Sequence, residues 1–122
     1  MIKIGITFCF AAILLINGCA ASKESRMIQI KSQYPQWDQS TVENVAGRQV
    51  MVGMTEEMVL MAMGKPWSIS REGEIVIWAY GYVGTCGSEG GACEKMVYFI
   101  HFQDKKVIKT RGDKRRLGFQ YS

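Results

Sequence analysis

The chain has 122 residues, with 15 lysines and arginines against 11 acids, a formal net charge of +4 and 48% hydrophobic residues. That length is enough for one ordinary domain. The mild positive charge suits contact with an anionic surface and gives no reason to expect nucleic acid as a partner.

The first elements are targeting features. Met1-Ile2-Lys3 is a short basic start, and Ile4 to Ile16 is an apolar run of 13 residues, broken by Gly5 and Thr7. Such a run is too short to span a bilayer and suits the core of a secretory signal. It leads into Leu15-Ile16-Asn17-Gly18-Cys19-Ala20-Ala21-Ser22, which resembles a bacterial lipoprotein processing box. The resemblance implies cleavage before Cys19, acylation there, and residues 1–18 as the signal peptide. Ordinary cleavage after Ala21 is the alternative. Two acyl signals anchor firmly where one chain is marginal. Ala20 follows the cysteine where an aspartate would retain the cargo, so the destination implied is the bacterial outer membrane, with the domain in the periplasm. Cleavage removes Lys3 and no acid, so the formal charge falls from +4 to +3.

With Cys9 in the signal and Cys19 lipidated, Cys86 and Cys93 remain as one pair. In an oxidising compartment that pair reads as a disulfide. It closes a loop of eight residues, worth about 2.5 kcal/mol in the chain-entropy model. The C-x6-C spacing is not the C-x-x-C of redox sites. A zinc site needs more ligands than His101, the only histidine, supplies.

Residues 19–36 are polar and mixed and read as a flexible tether, with a helical turn near Met27–Ile30. Tyr34-Pro35 ends any helix there. Residues 37–111 read as the domain. Ser40-Thr41-Val42-Glu43 has the pattern of a capping box, with Val42, Val45 and Ala46 at helical spacing and Gly47 at the end. A second helix comes after Gly53. Thr55 is its N-cap, Glu56 and Glu57 fill its first turn, Met54 and Val59 form a hydrophobic staple, and Gly64 with Pro66 stops it. Its unbroken row Met58–Met63 predicts burial on more than one side. The methionines Met51, Met54, Met58, Met61 and Met63 read as core filling; thioether copper ligation or an adaptable recognition groove is the alternative.

Trp67 to Arg71 reads as a short extended lead-in. Glu74 to Tyr82 is a predicted strand, Gly81 to Glu94 a loop holding five glycines and both cysteines, Lys95 to Gln103 a second strand, and Lys106 to Thr110 a third. The expected fold class is α+β: two short helices packed on a three-stranded antiparallel meander. Residues 112–122 read as a basic, solvated tail that could touch lipid headgroups or an acidic partner.

Val52-Gly53-Met54-Thr55, Val59, Met63-Gly64-Lys65-Pro66, Trp78-Ala79-Tyr80 and Phe102-Gln103-Asp104 with Val107 together resemble the SmpA/OmlA (BamE-like) lipoprotein domain family. The resemblance covers about Gln49 to Lys109. It implies the ααβββ two-layer sandwich of that family, and an envelope protein partner such as the β-barrel assembly machine. The motif residues Gly53, Met54, Thr55, Val59, Gly64 and Pro66 are structural punctuation.

There is no Ser/His/Asp arrangement, no G-x-G-x-x-G and no paired carboxylates with a pocket signature, so no enzyme activity, cofactor or metal is expected. The sheet stands out. Ile75, Ile77 and Ala79 alternate with Val76, Trp78, Tyr80 and Tyr82, and the second strand is also apolar on both faces, including Tyr98. Trp78, Tyr80, Tyr82 and Tyr98 are therefore the candidate interaction surface, together with the disulfide loop. The alternative is that Trp78 and Tyr80 pack on the helices. The functional expectation is a non-catalytic envelope lipoprotein acting as a protein-interaction or scaffold module, in outer-membrane protein assembly or envelope integrity. Two others stand beside it: an inhibitor or regulator docking its sheet on a periplasmic enzyme, and a self-associating structural lipoprotein that forms a homodimer.

Overall fold

A computed structural model describes residues 22–120. Residues 1–18, read above as a signal peptide, and Cys19 lie outside the described residues. Three helices, α1 (Lys23–Gln33), α2 (Gln39–Ala46) and α3 (Glu56–Met63), precede four strands, β1 (Ser68–Glu72), β2 (Ile75–Cys86), β3 (Gly91–Gln103) and β4 (Lys106–Gly112). The strands form one antiparallel sheet in chain order. The α+β class and the meander are as expected, with one more helix and one more strand than the sequence suggested.

The added helix is α1, within the span read as a tether. Ser22 caps it by accepting from the Ser25 amide. Its apolar stripe is thin, with Ile30 buried and Met27 half-buried, which is why helical periodicity barely registers there. Side chains pin it to α2 and to the turn between the two helices. Arg26 Nε donates to the Ala46 carbonyl at 2.9 Å, and Lys31 Nζ to the Trp37 carbonyl at 2.7 Å. Tyr34 stacks on Trp37 at 4.0 Å between centroids, and its hydroxyl bonds to Glu57, which raises the phenol's pKa.

The cap of α2 is Asp38, not Ser40. Its carboxylate accepts from the Thr41 amide at 2.7 Å, so the helix starts at Gln39. An aspartate caps as well as a serine and also complements the helix dipole. At α3, Thr55 accepts from the Met58 amide, and Gly64 (φ +77°) returns its N–H to the Leu60 carbonyl. Met54 and Val59 are both buried.

The Gly53-Met54-Thr55 stretch pairs as a short bridge with the start of β4. The Gly53 amide donates to the Val107 carbonyl, and the Val107 amide to the Met54 carbonyl, each at 2.8 Å. Both main-chain groups of buried Val107 are thereby satisfied, and the entry to α3 is fixed on the last strand.

The core lies between the helices and one face of the sheet. Val42, Val45, Val59, Ala62 and Met63 meet Trp78, Tyr80, Tyr98, Ile100, Phe102 and Val107. Of the methionines, Met54 and Met63 are buried, Met58 and Met61 half-buried, and Met51 exposed. The C-terminal segment is a 3-10 helix, Lys114–Gln120, where a solvated tail was expected. Leu117 joins the core, and Lys114 Nζ donates to the Arg48 carbonyl.

Candidate functional site

The aromatic surface expected from the sequence is not a surface. Trp78 is 6% exposed, Tyr80 0% and Tyr98 7%, and all three belong to the core beneath the helices. Trp78 meets Phe102 at 4.6 Å between centroids. The Tyr80 hydroxyl donates to the Gly64 carbonyl, and the Tyr98 hydroxyl bonds to Thr110 while burial raises its pKa. Tyr82 is half-buried against the same cluster. The physical reason is coverage. The C-terminal 3-10 helix, through Leu117, joins the helices over this face, and the wide aromatic rings fill the space between layers.

The opposite face carries Ile75, Ile77, Ala79, Phe99 and His101. It is covered in part by long side chains, with the Arg111 guanidinium 4.9 Å above the Phe99 ring. His101 is 6% exposed, and its Nε2 has no hydrogen-bond partner. Burial lowers its pKa, and Lys109 and Arg111 add to that shift while Glu72 opposes it.

The Gly81–Glu94 stretch is not a loop. β2 and β3 continue in register to Cys86 and Gly91, beyond the strands that flank them. They form a two-stranded arm. Its glycines serve close approach and turning. A Cβ at Gly81 would stand 2.0 Å from the Lys95 carbonyl oxygen, beside a bulge that leaves Val97 unpaired in the ladder. Gly87 and Gly90 take positive φ at the tip. Cys86 and Cys93 lie at disulfide distance, with Cα atoms 5.7 Å apart. Every residue from Thr85 to Ala92 is exposed, and Val83 is 57% exposed.

A second feature had no reading in the sequence. A cleft of about 430 Å³ opens between the helices, with Arg26, Arg48 and Lys65 around a floor that includes Ile30, Ala62 and Met63. Arg48 holds a left-handed backbone (φ +56°), and its Nε is buried without a hydrogen-bond partner. The only sequence signal was its place just after Gly47 at a helix end.

Among the described residues, no group of three or more His, Cys, Asp or Glu side chains is placed to hold a metal ion, and no helix is long and apolar enough to cross a membrane. Comparison with protein-family models, curated proteins and solved structures finds no match to the chain.

Proposed function

We propose that the chain is a non-catalytic bacterial envelope lipoprotein of the SmpA/OmlA (BamE-like) kind, anchored through Cys19 and serving as a protein-interaction or scaffold module. The observation that carries this reading is the stapled arm. Isolated two-stranded hairpins are marginal in water. This one projects from a domain whose core ends at Tyr82, and its exposed tip adds nothing to that core. A crosslink worth about 2.5 kcal/mol to the arm then serves to keep an exposed element in one shape. Preorganisation of that sort lowers the entropy lost when a partner binds. The lipoprotein box and the cysteine pair point to the same oxidising compartment.

The scaffold reading expected its contact on the aromatic sheet face together with the Cys86–Cys93 stretch, and the regulator reading expected the sheet to dock on an enzyme. With Trp78, Tyr80 and Tyr98 in the core, the aromatic face is withdrawn as a contact surface, and the arm, with Ser88 and Glu89 at its tip, remains. Photocrosslinking from Ser88 in intact cells is the test. Capture of a defined envelope protein supports the proposal, and absence of any adduct from an expressed, anchored chain overturns it.

A further inference from the structure

We propose that the helical cleft is a second binding site, separate from the arm, that takes a carboxylate carried next to an apolar side chain in an acidic peptide segment. The charges decide the sign of the ligand. Arg26, Arg48 and Lys65 line the cleft, and among the described residues no aspartate or glutamate does. Two helix C-termini also face it, each equivalent to about −0.5 elementary charge. Their carbonyls are already answered. Ala46 accepts from Arg26 Nε, Leu60 from the Gly64 amide and Gly64 from the Tyr80 hydroxyl. The two full positive charges of Arg48 and Lys65 outweigh the two half-charges left after those bonds are made. Lys114, whose ammonium holds the Arg48 carbonyl and whose pKa is lowered by burial and by Arg48, adds to the excess.

Arg48 identifies the contact group. It lines the cleft, and its Nε, inaccessible as the side chain stands, has no hydrogen-bond partner among the described residues, so a turn of the guanidinium toward the cleft gives up no bond at that atom. Its backbone sits in the left-handed region at the end of α2, where the Arg48 amide closes on the Val45 carbonyl and the Gln49 amide on the Asn44 carbonyl, so the helix-ending turn fixes where the side chain starts. A guanidinium fork matches a carboxylate in two parallel hydrogen bonds.

The floor decides what accompanies the anion. Ile30, Ala62 and Met63 are buried and continuous with the core, so a bare inorganic anion would leave them wet. Leu60, 41% exposed at the rim, offers a further apolar contact to a peptide.

The test is fluorescence anisotropy of the 122-residue chain with an acetylated, amidated peptide of alternating leucine and aspartate. Inorganic phosphate and phosphatidylglycerol vesicles are the competing probes. Arg48→Gly removes the side chain and suits the left-handed backbone, so the fold is retained while peptide affinity falls about tenfold or more. Lys65→Gln, at an exposed position, weakens binding less and serves if Arg48→Gly does not fold. Unchanged affinity in whichever variant folds overturns the proposal. So does equal binding of a leucine–asparagine peptide, or binding of phosphate or vesicles in place of the acidic peptide.

Discussion

The Tyr80 hydroxyl donates to the Gly64 carbonyl at 2.9 Å, across the interface between sheet and helices. The bond joins the middle of β2 to the residue that ends α3, and neither group is satisfied by regular structure alone. Tyr80→Phe keeps the ring and leaves the Gly64 carbonyl short of a partner. Gly64 is exposed, so water can take up its carbonyl, and the expected cost is that of an ordinary hydrogen bond, about 0.5–1.5 kcal/mol, read as a lower melting temperature with an unchanged far-UV spectrum.

Gly81 marks where the sheet narrows to the arm. Gly81→Ala places a methyl group against the Lys95 carbonyl carbon and oxygen, which are backbone atoms and cannot swing away. The expected destabilisation is about 1–3 kcal/mol, as for overpacking in a tight interior. Chemical denaturation measures it.

Reduction of the Cys86–Cys93 pair acts locally. The arm loses its crosslink, and amide exchange from Thr85 to Ala92 accelerates, while Val42, Ile100 and Phe102 keep their protection. Those three residues are fully buried, and the arm's exposed tip lies outside the core. Hydrogen exchange with and without reductant distinguishes this from a global loss of structure.

His101 sets a pH dependence of stability. Its folded-state pKa is lowered, first by burial and then by Lys109 and Arg111. The unfolded chain therefore binds the proton more readily, and stability is complete above the ordinary histidine value of about 6.5 and falls as pH drops from there through the folded pKa. His101→Phe removes that part of the slope. Denaturant midpoints for both proteins, compared on either side of pH ~6.5, check the sign.

Much of the layout was legible because it rests on local chemistry. Thr55, Glu56, Glu57 and Gly64 specify α3 within one short segment, and the staple of Met54 and Val59 needs no distant partner. What was not legible depends on contacts between distant residues. α1 has few apolar residues, and its place is set by Arg26 reaching Ala46 and Lys31 reaching Trp37. The alternation along β2 showed two apolar faces without saying which one meets the helices, so Trp78 and Tyr80 could be read as surface. The glycines of the arm looked like loop residues, because the Lys95 backbone that excludes a side chain at Gly81 lies across the ladder. Arg48 belongs to a cleft assembled from three helices, and no linear motif could announce that.

The most direct measurement places a photoreactive residue at Ser88, on the arm's tip, and another at Ile28, which is 73% exposed on α1. Both chains are irradiated in intact cells, with and without Cys86→Ser. If the stapled arm is the contact, one defined envelope protein is captured from Ser88, not from Ile28, and is lost when the staple is removed. Capture from Ile28 alone, or equal capture from Ser88 without the disulfide, would contradict that role.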